Sequence, residues 1–260
     1  MNFLDYLDSS LCELNAHKYE ILYIYSDLRF FGKLKNNETN KNKFLKDVID
    51  ILSSKNKTVI IPTFSYTTSG IFEVQKSKTS LGALNAAMLT VTDVQRSEHP
   101  IFSFGAYGGK SDIVKKIGRS AFGSDCLHER LLNSNAAFVH IGRPVNLGNT
   151  IIHYIEKSIG VTYRIEKKFS TQVFDNGIFI GNDYSAFVRK KDNEVNDYAF
   201  AFDKAAKYLY QKGLVVEKKL NFPYSNISIL AYDKTHLALK QLIASDQFAF
   251  LKNNQVNSER

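Results

Sequence analysis

Three polar side chains stand at regular spacing in the otherwise apolar stretch LGNTIIHYIEKSIG, namely Thr150, His153 and Glu156. Intervals of three residues place side chains roughly on one face of a helix. A histidine with its usual pKa of about 6.5 is largely neutral at pH 7, which suits a general base. A carboxylate one turn away can orient the ring. The pattern is typical either of a catalytic base with its supports or of a helix with one polar stripe, in which Thr150 is only the N-cap.

The surrounding sequence predicts an α/β sheet whose loops would hold this helix near the strand ends. Strands rich in β-branched and aromatic residues are predicted in YEILYIYSD, KTVIIPTFSY and NAAFVHIGRPV. Helical spacing predicts helices in NKNKFLKDVIDILSS, in SLGALNAAMLTV and in the stretch that carries His153. Strands that alternate with helices favour an α/β fold, and such folds usually bind ligands at the ends of the strands.

The pattern changes from about Phe169 onward. A hairpin is predicted in GIFIGNDYSAFVRKKDNEV, a helix in DYAFAFDKAAKYLYQKG, and a strand followed by a helix in NISILAYDKTHLALKQLI. No Pro- or Gly-rich linker precedes this part, so we expect one domain over residues 1–260. Within it, residues 1–168 would form the core and residues 169–260 a C-terminal α+β lobe of the same fold.

Composition restricts the class of protein and its partners. The chain has 260 residues, 44% of them apolar, and a formal net charge of +8. Two distant cysteines, no cationic leader and no long apolar run predict a cytoplasmic protein without membrane contact. The basic excess favours anionic ligands such as nucleotides. A nucleic-acid-binding module is the remote alternative, but the aromatic and basic residues form no known RNA-binding motif.

Several familiar motifs are absent. The stretch FGAYGGKS resembles a phosphate-binding loop, but Phe104 stands where the first glycine is required. Gly105, Gly108 and Gly109 are therefore expected to serve a turn or a close backbone approach. The chain has no H-E-x-x-H pair and no cysteine at ligand spacing, so no metal site is predicted.

Four segments carry a family resemblance, namely YSDLRFFGKL, VIIPTFSY, QRSEHPIFSFGAYG and the stretch from FGSDCLHERLL through IEKKF. In this order they resemble the aminoglycoside 3-N-acetyltransferase family, whose pattern includes H-S-S-L, M-P-T-F, R-S-x-H-P-x-x-S-x-x-A-x-G and T-x-x-H-x-x-E. The chain departs from that pattern at three places. Tyr25 replaces the histidine of H-S-S-L, Asp27 replaces its second serine, and Cys126-Leu127 replace a Ser-Pro pair.

The resemblance implies a coenzyme A-dependent N-acyltransferase with the family's own α/β fold, a central mixed sheet flanked by helices. It assigns the general base to His153. Glu156 would then stabilise the imidazolium, and Thr150 would donate a hydrogen bond to the thioester oxygen or the departing sulfur. Direct attack by the amine is expected, with Cys126 as a weak alternative nucleophile.

Two further sets of residues are expected around acyl-CoA and an amino-sugar acceptor. The predicted coenzyme-binding residues are Ser26, Asp27, Leu28, Arg29, Lys33, Arg96, His99 and Ser103. The first five follow a strand, where free backbone amides and basic side chains can meet phosphates, although a plain polar turn remains open. A structural role is an alternative for His99. The predicted substrate-binding residues are Thr63, Ser65 and Tyr66.

The overall charge bears on the acceptor. Aminoglycosides are polycations, whereas the chain carries +8 and has no acidic run near the matched motifs. The sequence therefore favours a nucleotide-linked amino sugar, with an aminoglycoside as the alternative. The acyl group, the modified position and the oligomeric state stay open, a homodimer included.

Overall fold

The computed structural model describes residues 3–28, 38–190, 198–200, 202–219 and 226–253. Its helices are α1 (Phe3–Glu13), α2 (Glu38–Ser53), α3 (Ala83–Met88), α4 (Leu127–Leu132), α5 (Ile151–Ile159), α6 (Asp203–Gln211) and α7 (Tyr232–Ser245). Its strands are β1 (Ile21–Ser26), β2 (Thr58–Pro62), β3 (Ser69–Glu73), β4 (Gln95–Arg96), β5 (Phe104–Tyr107), β6 (Ala136–Ile141), β7 (Arg164–Lys168), β8 (Ser170–Asp175), β9 (Ile178–Gly181), β10 (Ser185–Arg189), β11 (Tyr198–Phe200), β12 (Val216–Lys219), β13 (Asn226–Ala231) and β14 (Leu251–Asn253). None of the helices within these residues has the length and hydrophobicity needed to span a bilayer.

A seven-stranded mixed sheet in the order β12-β13-β6-β1-β2-β5-β4 forms the centre of the molecule. Its three middle strands, β6, β1 and β2, are parallel, and the outer strands are antiparallel to their neighbours. The predicted central mixed sheet with flanking helices is confirmed. Strands β12 and β13 come from the C-terminal third yet extend this sheet, and the division at residue 168 stays a prediction.

The alternation of β1 divides the core between the two faces of the sheet. Ile21 and Tyr23 pack with α4, α5, α6 and α7 on one face. Leu22 and Ile24 pack with α1, α2 and α3 on the other. Successive strand side chains point to opposite faces, so a strand that is apolar at every position is covered on both sides. The predicted strand therefore has the buried, near-continuous apolar pattern of a central parallel strand.

The predicted hairpin within GIFIGNDYSAFVRKKDNEV is wrong. Strand β9 pairs with β8, whereas β10 pairs with β7. The actual hairpin turns at Asn176 and Gly177, which both have positive φ, as an Asn-Gly hairpin turn requires. The predicted helix in DYAFAFDKAAKYLYQKG begins only at Asp203, because Tyr198–Phe200 form β11. Residues 191–197 of these two stretches lie outside the described residues.

Two glycines of FGAYGGKS, Gly105 and Gly108, serve close backbone approach as the sequence predicts, whereas a Cβ at Gly109 would meet no atom within 4 Å. Gly105 lies within β5, where an added Cβ would be 2.8 Å from Met88 Cγ. Gly108 has a φ of 119°, and a Cβ there would collide with the carbonyl of Lys57. A side chain at Gly108 would be strained by both its backbone angle and its surroundings.

Candidate active site

A cleft of about 360 Å³ opens at the carboxyl ends of the three parallel strands. This is where open α/β sheets usually bind ligands. Its lining residues are Tyr25, Ser26, Pro62, Phe64, Tyr66, Leu81, Gly82, Asn85, Arg143, Leu147, Gly148, Asn149, Thr150, His153 and Phe202. The loop after β6 and the first turn of α5 form one wall of it.

Helix α5 places His153 in this wall. Ile151, Ile152 and Ile155 are buried against the core, which fixes the rotation of the helix. The helix ends at Gly160, whose φ of 77° is the left-handed conformation common after a helix. Because the apolar face of α5 is buried against the core, the polar face of the helix points toward the cleft instead of toward open solvent.

His153 and Glu156 form a hydrogen-bonded pair. Nδ1 of His153 is 2.9 Å from Oε2 of Glu156. A carboxylate only accepts hydrogen bonds, so Nδ1 carries the proton and the basic lone pair lies on Nε2. The His153 side chain is 20% exposed and that of Glu156 is 0% exposed. The arrangement is an oriented imidazole at a cleft with its carboxylate behind it.

The buried carboxylate of Glu156 has two further partners. Arg164 Nε lies 2.7 Å from Oε2, and the Tyr163 hydroxyl donates to Oε1 at 2.7 Å. Arg164 in turn donates to the Phe187 carbonyl at 2.9 Å. A buried carboxylate needs such compensation because its desolvation is costly. A polar stripe facing solvent is therefore excluded for Glu156.

Burial lowers the pKa of His153 below its usual value, against the opposing effect of Glu156, which raises it. The positive charge of Arg164 lowers it slightly further. The ring is therefore neutral at pH 7 and able to accept a proton.

Replacing Glu156 with Gln is expected to move the acidic limb of the kcat/KM profile to lower pH. The substitution removes the negative charge that raises the pKa of His153, while burial and Arg164 still lower it. An opposite charge at this range typically shifts a pKa by about 1 to 3 units. We expect a lower plateau rate together with this shift, measured between pH 4.5 and 8. A lower plateau with an unmoved limb would mean that Glu156 does not raise the pKa of His153.

Thr150 occupies the N-cap of α5, but its side chain makes no capping hydrogen bond. Its hydroxyl instead lies 3.1 Å from the Tyr23 hydroxyl, 3.2 Å from that of Tyr25 and 3.0 Å from Nε2 of His128. The Thr150 hydroxyl therefore does not cap α5, so the alternative role that the sequence left open for it is excluded. Thr150 and His153 both line the cleft, so a hydroxyl and a base meet on one wall.

The sequence profile of the aminoglycoside 3-N-acetyltransferase family matches residues 26–227, which include this whole wall. The chain belongs to the aminoglycoside 3-N-acetyltransferase family. It is thus an acyl-CoA-dependent N-acyltransferase, as the sequence predicts, and acetyl-CoA is the family's co-substrate. A search of curated proteins found no match.

Several solved structures share the fold, among them two aminoglycoside acetyltransferases. Aminoglycoside acetyltransferase AAC(3)-IVa, as apoenzyme, is 17% identical with a TM-score of 0.74, over 100% of this chain and 96% of that one. AAC-VIa bound to sisomicin is 15% identical with a TM-score of 0.75, over 94% and 98%. The YokD protein from Bacillus subtilis is 14% identical with a TM-score of 0.73, over 95% and 94%.

The stretch YSDLRFFGKL, which begins with the family's H-S-S-L positions, is described in this structure only as far as Leu28. Ser26 lines the cleft, whereas Asp27 and Leu28 are not among its lining residues. The Asp27 amide donates to the Ile141 carbonyl at 2.8 Å, and Leu28 packs against the core. Arg29 and Lys33 lie outside the described residues. Coenzyme contact by this segment stays a prediction.

The family's R-S-x-H-P-x-x-S segment does not line the described cleft, in contrast to the sequence prediction. Arg96, His99 and Ser103 are all buried. Arg96 donates to the carbonyls of Val74, Ser77 and Thr63, and Ser103 donates to the Thr63 carbonyl at 2.7 Å. These hydrogen bonds join the loops behind the cleft, because a buried guanidinium must find its hydrogen-bond acceptors within the protein.

His99 has the structural arrangement that the sequence left as its alternative. Its Nδ1 accepts the amides of Ile101 at 3.2 Å and Phe102 at 3.1 Å, so Nε2 carries the proton toward the Ser185 carbonyl at 3.0 Å. Burial lowers the pKa of His99 to about 4. The neutral His99 ring makes hydrogen bonds through both nitrogens and so holds the loop between β4 and β5 in place.

The family's M-P-T-F strand brings one of three predicted substrate residues to the cleft. Tyr66 lines it and is 49% exposed. Thr63 is buried, with its hydroxyl 3.2 Å from that of Ser103. Ser65 donates to the Pro100 carbonyl at 2.6 Å. Acceptor contact thus stays a prediction for Tyr66, while Thr63 and Ser65 hold the loop.

Cys126 has no feature of an activated nucleophile. It is fully buried, and burial raises the pKa of its thiol to about 11. Thiol reactivity requires the thiolate, so direct attack remains the expected route. Among the described residues no cluster of histidine, cysteine and carboxylate side chains has metal-binding geometry.

Sequence reasoning missed four residues that shape the site: Arg143, Arg164, Tyr163 and His128. Arg143 follows β6 directly, so the rule that ligands bind at strand ends would have found it. Arg164 and Tyr163 follow the Gly160 turn, and asking what neutralises Glu156 would have suggested Arg164. His128 leaves no sequence signal, because its contacts to Thr150 and Tyr232 join distant parts of the chain.

Proposed function

We propose that the protein transfers the acetyl group of acetyl-CoA to an amine of an aminoglycoside, with His153 as general base. The observation that carries this proposal is the 2.9 Å bond from His153 Nδ1 to the buried Glu156 at the wall of the cleft. It leaves Nε2 as the basic atom. Family membership supports an aminoglycoside better than the nucleotide-linked sugar that the sequence alone favours.

The reaction follows from this arrangement. The amine nitrogen attacks the thioester carbon, and His153 Nε2 takes the proton that the nitrogen loses. Glu156 stabilises the imidazolium through Nδ1. The Thr150 hydroxyl donates to the oxygen that gains negative charge. When the carbon–sulfur bond breaks, the imidazolium returns its proton to the sulfur of coenzyme A.

The bound acceptors of related structures support this choice. AAC(3)-IVa has been solved with a gentamicin and with apramycin, and AAC-VIa with sisomicin. Those proteins share the fold of this chain but only 14–17% of its sequence. They support the acceptor class without identifying the antibiotic or the position that is modified.

One observation favours a second candidate, an amino sugar linked to a phosphate or nucleotide. Among the described residues that line the cleft, Arg143 is charged and no carboxylate is present. Carboxylates in a cleft raise the affinity for polycationic acceptors, whereas a guanidinium raises the affinity for phosphate. Arg143 is held over the Tyr25 ring and donates to the carbonyls of Gly148 at 2.7 Å and Leu147 at 2.9 Å.

Replacing Arg143 with Gln separates the two acceptor classes. For a phosphate-linked amino sugar, KM should rise about tenfold because a charge-assisted hydrogen bond is lost. For an aminoglycoside, KM should stay or fall because a repulsive charge is removed. Any disturbance of the Gly148 loop would affect both acceptors equally, so their ratio is the readout. Acetyl-CoA must be saturating throughout.

A salt titration of the wild-type protein provides an independent comparison. Raising salt from 0.01 M to 0.15 M shortens the Debye length from roughly 30 Å to roughly 8 Å. With acetyl-CoA saturating, kcat/KM for an anionic acceptor should fall, and that for an aminoglycoside should stay flat or rise, given the net charge of +8. Turnover of aminoglycosides alone would remove the second candidate, and turnover of phosphate-linked sugars alone would remove the first.

A further inference from the structure

The Thr150 hydroxyl is surrounded by three hydrogen-bonding side chains, those of Tyr23, Tyr25 and His128. A hydroxyl has one hydrogen and two lone pairs. The directions of the neighbouring protons therefore decide where the hydrogen of Thr150 points. Tyr23 and His128 are fully buried, whereas Tyr25 lines the cleft.

The proton of His128 lies on the nitrogen that faces Thr150. The Tyr232 hydroxyl is 2.6 Å from Nδ1 of His128 but 3.5 Å from the His128 carbonyl. Burial keeps the pKa of Tyr232 well above its usual value, so the phenol retains its proton. The short contact is a strong hydrogen bond and the long one is at the limit, so the phenol donates to Nδ1. A neutral imidazole has one N–H, which is then Nε2–H toward Thr150.

The hydrogen bonds made by the two tyrosines also run toward the Thr150 hydroxyl. The Tyr25 oxygen accepts the Thr150 amide at 3.0 Å, and the Tyr25 hydroxyl donates to that of Tyr23 at 3.2 Å. Tyr23 then has Thr150 Oγ1, at 3.1 Å, as the acceptor for its own proton. Both lone pairs of the Thr150 hydroxyl are thus occupied from the buried side.

We infer that Tyr23 and His128 hold the Thr150 hydroxyl as a hydrogen-bond donor directed at the cleft. There Tyr25 is its resting acceptor, and the thioester oxygen takes that place when acetyl-CoA binds. As the amine attacks, an electron pair moves from the carbonyl bond onto this oxygen and returns when the carbon–sulfur bond breaks. A donor fixed in advance stabilises that charge without reorganisation. Tyr23 and His128 are positioning residues, and this inference rests on the proposed function.

The first test examines the hydrogen bonds around the Thr150 hydroxyl by a measurement that does not depend on enzymatic activity. Protein labelled with ¹⁵N in its histidines is examined by NMR at pH 7, with His128→Gln used to assign the resonance. We expect His128 to be neutral with its proton on Nε2 and a lone pair on Nδ1. A proton on Nδ1 would make Thr150 the donor to His128 and would overturn the inference, whatever the protein acylates.

The second test is a double-mutant cycle with Thr150→Val. This variant alone should lower kcat by about 10²- to 10³-fold, as loss of an oxyanion donor does. Tyr23→Phe and His128→Leu should each lower kcat about tenfold in the wild-type background, a typical coupling between hydrogen-bonded groups. In the Thr150→Val background each should lower it less than about twofold. A purely structural role would give equal losses in both backgrounds.

Two further variants complete the cycle. His128→Gln keeps an amide donor near the place of Nε2–H and should retain most of kcat, unlike His128→Leu. Tyr184→Phe is the matched control, because it removes a buried phenol hydroxyl outside the network and should leave kcat unchanged. If the losses of kcat were additive, or if His128→Gln did not restore kcat, the inference would be overturned although the wild-type protein still turned over its acceptor. Absence of wild-type acyl transfer would instead refute the proposed function.

Discussion

Replacing His153 with Asn is expected to lower kcat by about 10²- to 10⁴-fold, the usual contribution of a general base. The amide cannot accept a proton from the attacking amine. The ring is neutral at pH 7 because burial lowers its pKa, so the wild-type rate depends on this proton acceptor. Affinity for acetyl-CoA should change little, because the lost interaction is with the proton of the acceptor.

The measurement is steady-state thiol release at pH 7 with the best acceptor, together with calorimetric titration of coenzyme A. His17→Asn is the matched control, since His17 is exposed in the 3₁₀ turn before β1 and outside the cleft. Its kcat should equal that of the wild type. Near wild-type turnover of His153→Asn, with folding intact, would remove this residue from the mechanism.

The second large effect concerns stability in mild acid. Burial lowers the pKa of His99 to about 4, that of His128 to about 3 and that of His140 to about 3. In the unfolded chain these histidines titrate near 6.5. Between those values the unfolded state binds protons that the folded state does not, so stability is complete above the unfolded pKa and falls as the pH drops.

The free energy of unfolding should therefore decrease by about 4 kcal/mol between pH 7 and pH 5.5, if each of the three sites contributes fully. Urea unfolding at the two pH values measures this difference. His140→Phe keeps a planar ring and removes one of the three protonation sites, so it should reduce the pH dependence by about a third. An unfolding free energy that is constant over this interval would show that these rings are not buried as neutral groups.

The sequence could predict those elements whose pattern reports their own burial. Strand β1 has apolar residues on both faces, and α5 has isoleucines at helical spacing before a glycine stop. Local chemistry of this kind predicts His153 and Glu156 on one helix, and Thr150 lies at the N-cap of that helix. The failed hairpin shows the limit, because the Asn176–Gly177 turn competes with the one chosen and only pairing across distant strands decides between them.

The polar residues of the site divide according to burial, which single-sequence patterns do not report. Arg96 and Ser103 match a motif but bond to carbonyls behind the cleft. Arg164 matches no motif, yet it is the charge that neutralises Glu156. A residue type at a motif position indicates that a side chain has a fixed environment. Whether that environment is a ligand or another loop depends on contacts made far away in the sequence.

The proposed mechanism is direct acetyl transfer from acetyl-CoA to an amine at the wall that carries His153 and Thr150. Its most direct test is the wild-type protein with acetyl-CoA and an amine acceptor, following thiol release and the mass of acceptor and protein together. Direct transfer predicts one thiol released for each acetylated acceptor, no thiol release without acceptor, and no acetylated protein at any time. Accumulation of an acetyl-enzyme, or thiol release without an acetylated amine, would contradict it.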